Sequence, residues 1–224
     1  MFTGIIETVG KLSRHEARGG DVRLRIDTGG LDMSDVSLGD SIAVNGVCLT
    51  VIDFSDRQFS ADVSNETLAH TTLGQLRLEA PLNLEKAMQL STRLGGHMVS
   101  GHVDGVGKVQ SRRDDARSVR FTIEVPMGLA KYIAAKGSVC IDGTSLTVNQ
   151  TGDACFDINI VPHTMQKTII SEYKEGSLVN IEVDVVARYL ERLLLSDSGK
   201  DKSELSSSLT AASLVDAGFT TFTN

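Results

Sequence analysis

The chain repeats itself. Met1-Phe-Thr-Gly-Ile-Ile-Glu-Thr-Val-Gly-Lys-Leu12, laid over Met98-Val-Ser-Gly-His-Val-Asp-Gly-Val-Gly-Lys-Val109, matches at Met, Gly, Val, Gly and Lys, and most other pairs are similar in kind. The shift is 97 residues (98 − 1). The same shift carries Ser41-Ile-Ala-Val-Asn-Gly-Val-Cys-Leu-Thr-Val51 onto Ser138-Val-Cys-Ile-Asp-Gly-Thr-Ser-Leu-Thr-Val148, where Ser, Gly, Leu, Thr and Val coincide. Average residue usage would give about one identity in each window. Further along, Phe59, Thr67, Thr71, Asn83 and Glu85 meet Phe156, Thr164, Thr168, Asn180 and Glu182 with no gap. The chain is two copies of one unit, so any fold proposed for one has to serve both.

Each copy reads as short strands: Val22–Ile26, Ser41–Val44, Cys48–Asp53 and Phe59–Val63 in the first, Val119–Val125, Val139–Ile141, Leu146–Asn149 and Phe156–Val161 in the second. Gly, Asp and Asn turn signals separate them. About six strands per copy, with helical turns near Thr67 and over Leu129–Ala135, predict a small Greek-key barrel; closure removes the edges that so few strands would otherwise expose. The expected fold is all-β, two tandem six-stranded Greek-key barrels related by internal duplication (1–97 and 98–183), plus a C-terminal α-helix over 184–196. The helix follows from Val186, Tyr189, Leu190, Leu193 and Leu194 at i, i+3, i+4, i+7 and i+8, with Arg188, Glu191 and Arg192 on the other side. Such a stripe either packs back on its own barrel or gathers copies of the chain, and two complete barrels leave it nothing further to cover. A polar tail over 197–224 has the composition of a mobile segment, although Leu205, Leu209 and Leu214 could form a weak helix.

Charge narrows the function. A net charge of −7 and a pI near 5.2 argue against nucleic acid as the main partner. No run approaches the ~20 apolar residues of a membrane span, and MFTGIIETVGKL lacks the basic and apolar regions of a signal peptide. A cytoplasmic protein is expected, with Cys48, Cys140 and Cys155 as reduced thiols, since no CxxC pair occurs.

A duplicated unit presents two equivalent pockets, and shared residues should hold one ligand type. Gly4 and Gly101, Thr50 and Thr147, and Thr67 and Thr164 are such pairs; singly, each Thr could equally serve strand propensity. The mismatches differentiate the pockets: Cys48 stands opposite Ser145, and His102 opposite Ile5. A thiol able to add to an electrophilic carbon, or simply buried, thus belongs to one pocket, and an imidazole able to exchange a proton at neutral pH to the other. His97 precedes the repeat, in the linker at the mouth of the second barrel. His97 and His102, five residues apart on a strand, point to opposite faces and have no third ligand at zinc-like spacing, so no metal is expected. Ser100, His102 and Asp104 in line on one strand do not make a hydrolytic triad.

MFTGII at the start, NGVCLTV, GGHMVSGHVDGVG, and IDGTSLTV followed by VPHT resemble riboflavin synthase of the alpha-chain type, a lumazine-binding barrel family, over residues 1 to about 195. The resemblance implies a homotrimer gathered by the C-terminal helix, active sites shared between chains, no cofactor, and a possible association with lumazine synthase. It implies that two molecules of 6,7-dimethyl-8-ribityllumazine exchange a four-carbon unit. It also implies that Gly4, Ile5, Ile6, Cys48, Leu49, Thr50, Asp62, Val63, Ser64, Asn65, Glu66 and Thr67 line the first pocket. Gly101, His102, Val103, Ser145, Leu146, Thr147, Asn159, Ile160, Val161, Pro162, His163 and Thr164 line the second, with Lys136 reaching across the interface. On this reading His102, helped by Thr147, removes the proton from the donor, and Cys48 and Ser41 activate the acceptor. A family relative that only binds the pigment as an optical antenna typically lacks the histidines of the GH(x)4H segment, which this chain keeps. A flavin reductase on a similar barrel would need an RxYS-type motif and a dinucleotide-binding domain, and neither is visible.

Overall fold

The computed structural model describes residues 1–197; the expected tail, beyond Asp197, lies outside the described residues. Both copies lie in one compact unit, Met1–Arg188. The first copy runs β1 (Thr8–Arg18), β2 (Asp21–Asp27), β3 (Ser41–Val44), β4 (Val47–Thr50), β5 (Asp53–Ser55), β6 (Gln58–Val63), α1 (Asn65–His70) and β7 (Pro81–Lys86). The second runs β8 (Gly105–Asp115), β9 (Ser118–Glu124), α2 (Met127–Ala130), β10 (Ser138–Ile141), β11 (Thr144–Thr151), β12 (Cys155–Ile160), α3 (Pro162–Lys167) and β13 (Leu178–Val183), and α4 (Val185–Asp197) follows. The 97-residue shift carries β1, β2, β3, β6, α1 and β7 onto β8, β9, β10, β12, α3 and β13 at both ends. The helix expected over Leu129–Ala135 is shorter and earlier, at Met127–Ala130, and the strand expected to run through Val161 gives way to α3 where Pro162 starts it.

The second copy closes as a six-stranded antiparallel barrel in the order β10-β11-β12-β9-β8-β13. The first has the equivalent order, β4-β3-β7-β1-β2-β6-β5, with seven strands instead of six. Its edge strands β4 and β5 are consecutive in the chain, divided only by Val51 and Ile52, and together match β11. In β11 the register slips between Val148 and Gln150, so a bulge in one copy is a full break in the other. Alternation along β2 turns Val22, Leu24 and Ile26 inward and Arg23 and Arg25 outward. Leu24, Ile42, Phe59 and Leu84 fill one core, and Phe121, Val139, Phe156 and Ile181 the other; full burial of each such side chain contributes about 1.5–3 kcal/mol.

The two copies meet about a pseudo-twofold axis. Phe2 and Val99, equivalent by the repeat, pair with each other: the Phe2 N–H donates to the Val99 carbonyl (2.7 Å) and the Val99 N–H to that of Phe2 (3.1 Å). Asn83 and Asn180 are buried and exchange roles across the axis. Asn83 Nδ2 donates to the Asp142 carbonyl and Asn180 Nδ2 to the Asn45 carbonyl, both at 2.8 Å. Asn83 Oδ1 accepts from the Ile169 N–H (2.8 Å), and Asn180 Oδ1 from the Thr72 N–H (2.7 Å). At one point the symmetry breaks: Asp142, buried where the first copy has Asn45, accepts from the Tyr173 hydroxyl (2.5 Å) and the Asn180 N–H (2.8 Å). Burial raises this carboxyl to about 7 against the opposing pull of both bonds.

Candidate functional site

The opening segments of the copies cross over. Thr3 and Gly4 are anchored in their own copy by the buried Glu85, which accepts from the Thr3 N–H and hydroxyl (both 2.6 Å) and the Gly4 N–H (3.0 Å). The Gly4 carbonyl, however, accepts from the Ser145 N–H of the second copy (2.7 Å). Reciprocally, Glu182 accepts from the Ser100 N–H (2.6 Å), the Ser100 hydroxyl (2.7 Å) and the Gly101 N–H (3.0 Å), while the Gly101 carbonyl accepts from the Cys48 N–H (2.9 Å). Both glycines have positive φ, and a Cβ on Gly4 or Gly101 would sit 2.6 Å from that of Ser145 or Cys48. Burial outweighs the three hydrogen bonds and raises the pKa of each glutamate.

This crossing redistributes the expected pockets. Gly4–Ile6 lie against Ser145 and Gly143 of the second copy, and Gly101–Val103 against Cys48 and the core of the first. A cavity of about 290 Å³ is lined by Cys48, Glu66, Thr67, His70, Gly101, His102 and Val103, among others. His102 therefore neighbours Cys48 of the first copy, whereas Thr147, the partner expected for it, lies on β11 of the second. Equivalence in the repeat matched positions without revealing which copy each segment packs on. Cys48 is half-buried opposite Ala43 in the ladder, and packs on the small Phe2–Ala43–Val99–Cys140 cluster between the copies. Thr67 is placed by the Ser64 cap, whose Oγ accepts from its N–H (3.2 Å). Asn65 and Glu66 are exposed in that first turn, and Glu66 pairs with His70 (3.2 Å).

Several expected residues stand elsewhere. Leu49, Val63 and Ile160 point into the cores and Leu146 packs against the second one, as strand alternation requires. Asp62 is held at 2.7 and 2.8 Å by Arg23, whose guanidinium keeps its carboxyl below the usual range. Ser41, opposite the exposed Thr50, lines a different cavity of about 230 Å³ with Asp35, Asp40 and Lys86. Thr147 is exposed opposite Ser138, Asn159 exposed opposite Arg120, and Lys136 exposed at φ 66°. Val161, Pro162, His163 and Thr164 form the uncapped start of α3, with Val161 and His163 exposed.

The Ser145 side carries a histidine of its own. His97 is buried, and its Nδ1 lies 2.7 Å from Ser145 Oγ while its Nε2 is buried without a hydrogen-bond partner. Burial lowers its pKa below 6.5, with the Asp184 carboxylate pulling weakly the other way. The two pseudo-equivalent positions therefore have different neighbours: Cys48 shares a cavity with His102, and Ser145 contacts the buried His97.

A family model described as the lumazine binding domain matches the chain twice, at residues 3–87 and 100–184. The chain belongs to the lumazine-binding domain family. It is 49% identical over 202 residues to the riboflavin synthase of Photobacterium phosphoreum, covering 90% of this chain and 93% of that one. It is 46% identical over 219 residues to that of Actinobacillus pleuropneumoniae (98% and 100% covered), and 40% over 219 residues to that of Bacillus subtilis (98% and 100%). A crystal structure of LumP complexed with riboflavin shares the fold, with a TM-score of 0.76 at 24% identity over 82% of this chain and 99% of that one.

Two anchors inside these domains, and the site role of His97 in the segment between them, were not among the residues expected at the site. Glu85 and Glu182 were visible as a coincidence of the repeat, together with Thr3 and Ser100, and that was the signal of a shared anchor. His97 had no counterpart in the repeat to compare with, and its bond to Ser145 joins positions 48 residues apart.

Proposed function

We propose that the protein is a riboflavin synthase. It binds two molecules of 6,7-dimethyl-8-ribityllumazine and transfers a four-carbon unit from one to the other, giving riboflavin and 5-amino-6-ribitylamino-2,4-pyrimidinedione. The observation that carries this reading is the unequal equipment of two equivalent lumazine-binding domains, because a dismutation gives two identical substrates different roles. The riboflavin synthases to which the chain is 40–49% identical support it.

In the donor role, the C7 methyl group of the lumazine is acidified by its conjugated ring and must lose a proton. His97 suits this task better than His102: burial favours its neutral form, and its contact with Ser145 gives a proton path through the hydroxyl. Cys48 and His102 flank the acceptor, where a nucleophile adds to the ring. Both rings must meet face to face, and holding them so replaces a bimolecular encounter by an oriented one. We assign that meeting to a homotrimer in which clefts of neighbouring chains face each other. Its support is α4, whose Val186, Tyr189, Leu190, Leu193 and Leu194 are 54–73% exposed in the single chain. The reaction is placed in the cytoplasm, consistent with the unpaired Cys48, Cys140 and Cys155; no described helix is long and apolar enough to cross a membrane.

The test is to incubate the pure protein with 6,7-dimethyl-8-ribityllumazine and follow riboflavin absorbance. Formation of riboflavin and the pyrimidinedione in equal amounts is expected. Binding without conversion would identify a pigment-binding relative instead, and absence of binding would remove both readings.

A further inference from the structure

The first copy carries an arginine-lined hollow on the outer face of its sheet, away from Cys48 and Ser145. Arg14 and Arg18 of β1 and Arg23 and Arg25 of β2, with Glu16, Asp53 and Ser60, enclose about 360 Å³. Arg14 stands directly opposite Arg25 in the ladder, and like charges so placed destabilise an antiparallel pair. The local carboxylates offset this only in part, since four arginines share Glu16, Asp53 and Asp62. Glu16 is divided between Arg14 (2.5 Å) and Arg18 (3.1 Å), Asp53 lies 3.7 Å from Arg25, and Asp62 is occupied by Arg23.

The fold itself does not require these arginines. At the same positions of the second copy, Arg14, Arg18 and Arg25 become Ser111, Asp115 and Thr122. There the β8–β9 ladder is built with the same slip in register, and Ser111 and Thr122 simply hydrogen-bond to each other (3.0 Å). One copy thus keeps a repulsive pair, in a chain of net charge −7, where the other uses two hydroxyls.

We propose that this hollow binds a phosphate dianion, free or as the phosphate group of a small ester. Guanidinium forks from Arg14 and Arg25 would each present paired N–H donors to its oxygens, turning their mutual repulsion into a shared attraction, with Arg18 at the rim.

The test titrates the full-length protein with sodium phosphate in a calorimeter, against sodium chloride at matched ionic strength. Saturable binding with a dissociation constant of about 1 mM or tighter is expected with phosphate alone. The double variant Arg14→Ser with Arg25→Thr, which copies the second unit, should weaken it at least ~10-fold. Arg18→Asp, the other residue that the second unit supplies, should weaken it similarly and serves if the double variant does not fold. Arg113→Ser, in the matching hairpin, should leave it unchanged. Glycerol phosphate in parallel separates the sources: tighter binding than phosphate assigns an ester, weaker binding the free ion. No saturable binding beyond chloride, or unaltered affinity in both arginine variants, overturns the proposal.

Discussion

Two histidines five residues apart end in different chemical surroundings. His97 is buried against Ser145, and His102 is exposed at the Cys48 cavity. His97→Gln is expected to lower kcat by about 10²–10⁴ with little change in KM, the usual worth of a positioned base; steady-state kinetics on the lumazine check it, and equal loss in KM would indicate a binding role. Because burial lowers the His97 pKa from its ordinary 6.5, the acid limb of kcat/KM, which reports the free enzyme, should lie at lower pH than for an ordinary imidazole base. Asp142 gives a stability prediction. Its carboxyl titrates near 7 in the folded protein against 3.8 ordinarily, so between these values the folded state binds the extra proton and its contribution declines as pH rises. Asp142→Asn, the counterpart of Asn45, should remove that decline and stabilise the protein above pH 7 by as much as ~4 kcal/mol. Urea midpoints of both proteins at pH 5 and pH 8 decide it, and an unchanged difference between the two pH values would count against it.

At the scale of elements, the repeat and the period of two located the strands, because alternation is a property of neighbouring residues. The Val22–Ile26 strand and the turn near Thr67 appear where expected, as β2 and α1. The crossing of the opening segments was not legible, since Gly4 and Gly101 make the same local bonds whichever copy they reach. Gly101→Ala tests that crossing. Its φ of +82° and a Cβ 2.6 Å from Cys48 Cβ combine strain with a clash, whereas Gly19 at φ +58° has nothing within 4 Å. Gly19→Ala should cost only the ~1–2 kcal/mol of a left-handed alanine, and Gly101→Ala more, with displacement of His102. Thermal midpoints compare the two, and equal losses would mean that the crossing is loose.

For the whole molecule, the helical stripe announced an apolar surface of a kind that folded monomers seldom leave open. If the proposed trimer forms through α4, Leu190→Glu combined with Leu193→Glu should convert it into single chains, read by light scattering, with riboflavin formation lost because the proposed site draws on two chains. A fully active single-chain form would refute the shared site. The sequence by itself determined the duplication, the strands of each copy, the amphipathic helix and the residues in which the copies differ, all of which depend on local periodicity or on comparing one position with its equivalent. Only the tertiary structure decided that His102 joins Cys48, that His97 joins Ser145, and that Glu85 and Glu182 clamp the crossing segments. All of these contacts join residues far apart in the chain, the glutamates within one copy and the Gly4–Ser145 and Gly101–Cys48 crossings between copies, and their partners are set by how the finished strands and units pack, for which no local pattern in the chain is a record.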